Sequence, residues 1–546
     1  MRNPEAVPTY DYIIVGAGSA GCVLADRLTE SGKRRVLLLE AGGSDARLNI
    51  RIPLFVAKIL NDPQVTWPFR SVPQAHLGGR DQLLVRGKVL GGSSSVNGNV
   101  FVRGDPAEYD DWEAAGCQGW GYRDLVPYFK RSEHFPEGDP DARGREGPVS
   151  VTKLRKFDDL AEAYLRSCEE IGVPGVEDYN DGTYAGASYL QYSTRRGFRC
   201  STAVAYLGRA RKRHNLKIAT GARATRVLME DKRAVGVEYV RDGMRQTARA
   251  RAEVILSAGP MQSPQILELS GIGNPEVLAR HGIPVVHALP AVGENLHDHP
   301  NTRVAFECAR PLTINDILRS PVRQVQEGLK FAVFGGGMLS ICSATAQAIL
   351  KSGVHPSKAD LKLQLHPLSG KDRYARTPEA GLDPFSGFTI GITALQARSR
   401  GAVHIGSPDP LADPEIDPNY LSDPADLATL LAGLRISRRL AAAPTLGALV
   451  VREVRPGPDL QDEAGLVDYV RATTQTTWHF VGSCRMGADP DAVVDSELRV
   501  RGVEGLRVID SSIFPTIPSS NTNAPTIATG EKGADLLMRG DNQLRH

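Results

Sequence analysis

The sequence predicts an α/β fold, and three observations carry it. A strand, a glycine-rich turn, a helix, a second strand and an acid follow one another within the first forty residues. Two later apolar runs, "AEVILSAG" and "GLRVIDSSIFP", each lead into a helix start. Between them, from about 303 to 475, the pattern changes to separate strands and helices with a Pro/Asp-rich loop.

The N-terminal element is "YDYIIVGAGSAGCVLADRLTESGKRRVLLLEAGG". Tyr12 to Val15 are an apolar run suited to a buried parallel strand. Gly16, Gly18 and Gly21 then stand in GxGxxG spacing, and Cys22 to Leu28 continue with helical periodicity. Arg35 to Leu39 form the next apolar strand, which ends at Glu40. Each part has a physical use. Gly16 permits the tight turn, Gly18 lets the backbone approach a pyrophosphate at the helix start, and Gly21 lets the helix pack on the sheet. Glu40 is placed to accept hydrogen bonds from ribose hydroxyls. The unit therefore predicts dinucleotide binding. The acid opposes a 2′-phosphate, which argues against NADP and leaves NAD and FAD open.

Further along, "RGKVLGGSSSVNGNVFVRG" (86–104) is dense in small residues that let backbone N–H groups crowd a ligand, with Asn97 and Asn99 adding polarity. "NLKIATGARATRVLMEDKRAVGVEYVRDGM" alternates apolar and polar residues around a charged turn near Glu230–Lys232, the pattern of a hairpin. Ser263-Pro264 reads as a helix start, and Gly271 and Gly273 as its stop. In the middle region we expect a helix over 318–334, strands at "DLKLQLHP" and "GAVHIG", and an amphipathic helix at "ADLATLLAGLRISRRLAAA". Near the end, Asn523 is set at a helix N-cap with Pro525 in the first turn, where a missing N–H costs little.

Composition bounds the function. The 546 residues are ample for a large core. Lys+Arg (65) nearly balance Asp+Glu (63), and no charge block suggests a nucleic-acid tail. No apolar stretch is long enough for a membrane span. Seven scattered cysteines without a CxxC suggest neither a disulfide framework nor a zinc site. The first residues carry no basic-then-apolar leader, so the expected compartment is the cytoplasm.

Five segments together resemble the glucose-methanol-choline (GMC) oxidoreductase family, which is flavin-dependent: the GxGxxG unit with Glu40, "GKVLGGSSSVNG", "GPMQSPQILELSGIG", "VGENLHDH", and "HFVGSCRMG … NTNAPT". The resemblance covers essentially the whole chain. It implies FAD rather than NAD. It implies a Rossmann-like, doubly wound FAD-binding domain assembled from discontinuous segments (1–155, 205–302 and 476–538). An α+β substrate-binding domain (156–204 and 303–475) would cover the flavin, with 539–546 as a flexible tail.

The resemblance also carries two catalytic positions, His479 and Asn523. It implies oxidation of an alcohol CH–OH to a carbonyl. A neutral imidazole at His479 would take the hydroxyl proton, the α-hydrogen would pass as hydride to flavin N5, and Asn523 would hydrogen-bond the developing alkoxide. The helix that starts at Pro525 would favour negative charge near N1 of the reduced flavin. The expected cofactor-facing residues are Gly16, Gly18, Ser19, Ala20, Gly21, Glu40, Ala41, Trp67, Gly91, Gly92, Asn97, Gly98, Val100, Val227 and Asp510. Trp478 is expected in the pocket wall. His297 and His299 form an HxH pair, but the family uses this loop without a metal, and none is expected.

Two departures refine the expectation. Some members attach FAD through a histidine in the segment matching "GGSSSVN". Val96 stands there, which implies noncovalent FAD. Choline-oxidising members carry a glutamate in the segment matching "MLSICSATAQAIL". This stretch has no acid, and Thr345 takes the place. A neutral primary or secondary alcohol is therefore expected, with oxygen or a quinone- or dye-type acceptor. The alternative within the family is a non-redox, FAD-containing enzyme of the hydroxynitrile lyase type. A fatty-acid photodecarboxylase or a pure binding module would have little use for the His479/Asn523 pair.

Overall fold

The computed structural model describes residues 7–155, 157–342, 344–371 and 379–544. Two seven-stranded sheets organise the chain. The first begins with the strand Thr9–Val15, which pairs in parallel with Val36–Glu40 on one side and with Met244–Leu256 on the other. Leu216–Thr220 extends the parallel set beyond Val36–Glu40, and Leu506–Val508 pairs in parallel with the end of Met244–Leu256. All five residues of Val36–Glu40 are buried, as a parallel strand covered on both faces requires. The earlier half of Met244–Leu256 turns into an antiparallel meander with Ala222–Glu230 and Arg233–Arg241. Its tight turn is at Asp231 and Lys232, both with positive φ, so the alternating segment is the hairpin its pattern predicts.

The helix Ser19–Thr29 follows the glycine turn and packs against the terminal helix Asn523–Leu544. Gly530 makes that approach close, since a Cβ there would lie 3.0 Å from Val23 Cβ. Fully buried Glu531 locks the pair: it accepts from Arg27 Nε (2.8 Å) and Tyr206 Oη (2.7 Å) and pairs with Arg131 Nε (2.7 Å). The terminal helix runs to Leu544, so residues 539–544 continue it rather than forming a tail; 545 and 546 lie outside the described residues.

The second sheet is antiparallel, in the order Val450–Arg455, Pro300–Cys308, Gly387–Ala394, Leu361–His366, Ala346–Leu350, Gly186–Tyr189. Gln475–Thr476 adds to the edge of Pro300–Cys308. The strand Pro300–Cys308 belongs whole to this sheet, so residues 300–302 lie with the second unit, not with the first as the boundary at 302 has it. The helix Pro424–Ala441 covers one face. Leu361, Leu363 and Leu365 point into the core on that face. The period of two then turns Lys362, Gln364 and His366 to the opposite face. That face looks toward the first sheet, and the cavity between them is the site.

Among the described residues no helix is long and apolar enough to cross a membrane. The seven cysteines are buried, and none forms a disulfide among the described residues.

Candidate active site

A cavity of about 270 Å³ runs from the glycine turn to the polar face of the second sheet. One end is built by backbone. Gly16 has φ +99°, and a Cβ there would lie 2.4 Å from Ser257 O. A Cβ on Gly21 would lie 1.9 Å from Gly16 O, so this glycine serves the turn and helix packing rather than the cavity wall. Gly92 presses on the same turn: its Cβ would lie 2.7 Å from Gly18 Cα. A Cβ on Gly18 would meet only Ser257 O, at an ordinary contact distance of 3.8 Å. Gly16, Gly18, Ser19, Ala20, Glu40, Ala41, Trp67, Gly92, Asn97, Gly98, Val100 and Asp510 all line the cavity.

Glu40 accepts from Ala17 N (3.0 Å) and Gly42 N (2.8 Å), which fixes the carboxylate at the end of its strand. Burial pushes its carboxyl up to about 7, against those two backbone donors. Asp510 accepts from Gly259 N (2.8 Å) and Ser263 Oγ (2.6 Å). The arrangement fits FAD: a glycine cradle that side chains would fill, a helix start behind it, and an acid at the far end for ribose hydroxyls.

Besides Gly21, three expected residues fall off the lining. Gly91 sits one residue behind Gly92, with φ +89°, in the turn itself. Val227 is buried and its N–H donates to Ser270 Oγ (2.8 Å); Ala222, Arg223 and Ala224 line the cavity in its place. The register shifts between Ala224 and Arg226, which breaks the alternation a straight strand would keep. Thr345 is fully buried outside the lining, where its N–H donates to Leu365 O, while Cys342 and Ala344 face the cavity. Neighbouring residues of an extended segment point to opposite sides, so only one of Ala344 and Thr345 can face inward.

The other end holds His479. Its turn is strained: Trp478 has φ +61°, an outlier for a bulky side chain. Three bonds hold it there. Trp478 N donates to Thr476 Oγ1 (2.7 Å), Trp478 Nε1 to Leu83 O (3.0 Å), and Arg86 Nη1 to Trp478 O (2.6 Å). His479 N donates to Asp298 Oδ1 at 2.8 Å. Asp298 also accepts from Thr476 and Tyr420, and burial pushes its carboxyl up despite them.

The His479 ring has polar neighbours on both nitrogens. Nδ1 lies 3.1 Å from His299 Nδ1 and 3.0 Å from Thr477 Oγ1. Nε2 lies 3.0 Å from Asn521 Nδ2. His299 points its other nitrogen at Leu395 O (3.1 Å), while His297 Nε2 meets Asn295 Oδ1 (2.9 Å), so the HxH pair diverges. Burial, then the charge of Lys362, pushes His299 down to about 3, which keeps it neutral.

Asn523, the first residue of the terminal helix, also lines the cavity, but its Oδ1 accepts from Ser19 Oγ at 2.8 Å. The asparagine touching His479 is Asn521, two residues earlier. Sequence reading missed it, together with Lys362, Gln364 and His366 on the opposite wall. A signal existed for the wall: "LKLQLH" alternates leucine with three polar residues.

Profiles of the GMC oxidoreductase family match residues 10–301 and 397–530. Over 536 residues the chain is 41% identical to an oxygen-dependent choline dehydrogenase of Vibrio vulnificus, covering 97% of this chain and 94% of that one. It is 39% identical over 535 residues to an alcohol dehydrogenase [acceptor] of Pseudomonas putida, covering 97% and 96%. Its fold matches a variant of Aspergillus oryzae formate oxidase, studied for FAD modification, with TM-score 0.91, 25% identity, and coverage of 98% and 99%.

Proposed function

The chain belongs to the GMC oxidoreductase family, and from that premise we propose that it oxidises the CH–OH group of a neutral primary or secondary alcohol to a carbonyl. The observation that supports this is the His479 imidazole, tethered through both ring nitrogens, with Asn521 against Nε2 and Asn523 lining the same cavity.

FAD, when bound noncovalently, supplies the two-electron acceptor for the α-hydrogen. The backbone at Gly16–Ala20 would hold its pyrophosphate, and Glu40 would accept from the ribose. His479 Nε2 takes the hydroxyl proton, so the O–H bond breaks as the C=O bond forms. Ser19 holds Asn523 Oδ1, which leaves the Asn523 NH₂ to stabilise the alkoxide as it develops. The start of the terminal helix favours negative charge on the cofactor side of the cavity.

Substrate class follows from the wall. The acids lining the cavity among the described residues are Glu40 and Asp510, both tied to backbone N–H groups. Lys362, Arg86 and Arg223 line it as cations. A cationic alcohol such as choline would meet like charge rather than a carboxylate, which favours a neutral substrate although one relative is named for choline. The relatives named above are redox enzymes, and nothing in them favours the lyase alternative.

The test is the flavin spectrum under nitrogen with a panel of aliphatic, benzylic, furanic and sugar alcohols and choline. Bleaching by one neutral class is expected, with His479→Ala slowing it about 10²–10⁴-fold. Recovery in air with peroxide identifies oxygen as acceptor; recovery only with a quinone or dye identifies that class. Bleaching by choline alone overturns the substrate assignment. An unimpaired His479→Ala overturns the base.

A further inference from the structure

Hydrogen-bond direction decides which proton His479 carries. Lys362 Nζ is 3.2 Å from Asn521 Oδ1. An ammonium donates only, so the Asn521 oxygen must face Lys362 and its NH₂ must face His479. Asn521 Nδ2 lies 3.0 Å from His479 Nε2. An amide nitrogen also donates only, so Nε2 must be the unprotonated nitrogen. The far side of the ring agrees independently. Leu395 O accepts from His299 Nε2 at 3.1 Å, so the neutral His299 carries its proton there and Nδ1 is its acceptor. His479 Nδ1, 3.1 Å away, must donate to it. Thr477 Oγ1, which donates to His299 O at 3.0 Å, can accept a share of the same proton.

All four links run one way: Lys362 to Asn521, Asn521 to His479, His479 to His299, His299 to Leu395 O. We propose that Lys362 and Asn521 are positioning residues that hold His479 as the neutral tautomer with the proton on Nδ1 and the lone pair on Nε2. The proposal rests on the reading of His479 as the base. A substrate hydroxyl is also a donor, so it shares or replaces the Asn521 N–H at the same lone pair, and its proton then moves along that bond to Nε2. The amide cannot turn to accept from the resulting Nε2–H without facing its own NH₂ toward Lys362. The device therefore favours the neutral ring before and after turnover.

The charged and titratable groups around the ring come from four elements. Lys362 and His366 lie on the sheet wall, Asp298 and His299 on the segment before Pro300, Arg86 behind Trp478, and Asp510 on the cofactor side. Lys362 is joined to Nε2 through a single side chain, Asn521.

The test uses FAD-loaded enzyme labelled with ¹⁵N-histidine, with His479→Asn to assign the ring. Wild type is expected to show Nε2 unprotonated and Nδ1 protonated. Asn521→Asp offers Nε2 only acceptors, so the ring is expected to protonate at Nε2 and flavin reduction by substrate to fall about 10²-fold. Lys362→Met removes the anchor and the charge, and is expected to raise the acid limb of kcat/KM by about one pH unit. Lys362→Arg restores a donor and should return the limb toward wild type. A wild-type ring protonated at Nε2, or an Asn521→Asp enzyme with wild-type ring shifts and pH profile, overturns the proposal. The ring signal needs no turnover: an active His479→Ala with the expected tautomer would sink the base and leave the relay standing. An inactive His479→Ala with the opposite tautomer would do the reverse.

Discussion

Asn521 Nδ2 lies 3.0 Å from His479 Nε2, while Asn523, two residues on, is bonded through its oxygen to Ser19. The two asparagines therefore have separable duties. Asn521 meets the imidazole, and Asn523 joins the starts of two helices; on the proposed mechanism its NH₂ would serve the substrate oxygen. Asn523→Ala is expected to slow flavin reduction about 10²–10³-fold, the cost of one oxyanion donor. Ser19→Ala, which only frees the amide, should slow it about tenfold. Stopped-flow reduction at saturating alcohol separates the two. Equal losses would mean that Asn523 acts through helix packing instead.

Gly92 is expected to govern cofactor affinity without touching the chemistry. An added Cβ there meets Gly18 Cα at 2.7 Å, and its φ of +51° strains any side chain. Gly92→Ala should push the first glycine turn away from the pyrophosphate and weaken FAD binding at least about tenfold, at about 1.4 kcal/mol per factor of ten. Gly43→Ala, with open space around its Cβ, is the control. Fluorescence titration of apoprotein measures both, and matching affinities would refute the close approach as the cause.

The parts of the site legible in the sequence are those fixed by local backbone geometry. Gly16, Gly18 and Glu40 belong to one strand–turn–helix–strand unit, so spacing alone places them. Val227 was misplaced because a register shift two residues before it changes which side chains face inward, and a bulge leaves no mark in an alternating pattern. Thr345 was misplaced by one step of the same alternation. Lys362, Gln364 and His366 were visible as a polar face, but nothing local says that this face meets a cofactor rather than water. The choice between Asn521 and Asn523 depends on how the chain enters the terminal helix, and "NTN" is silent on that.

Val96 lines the cavity, and a valine side chain has no nucleophile with which to link a flavin. The flavin is expected to leave the protein completely on acid precipitation. Absorbance of the supernatant at the flavin band, against total flavin before precipitation, measures it. Colour retained in a washed pellet would show a covalent link through another residue.

The pH dependence of stability has a specific source in His404. Its Nδ1 meets Glu268 Oε1 at 2.7 Å and its Nε2 meets Glu294 Oε1 at 3.1 Å. Burial lowers its pKa, but the two carboxylates outweigh burial and raise it from 6.5 to about 9. The imidazolium bridges the strand Ala402–Ile405 to the helix Gln262–Leu269. A raised folded pKa means that the folded state binds the proton more tightly. The stabilisation is complete below pH 6.5 and is lost as pH rises through about 9. Its size is at most roughly 3 kcal/mol, from 1.36 kcal/mol per unit. At constant FAD saturation, the melting temperature of the wild type should fall between pH 6.5 and 9. His404→Gln keeps neutral hydrogen bonding but has no proton to lose, so it should start lower and vary less across that window. Parallel curves for the two proteins would remove His404 as the cause.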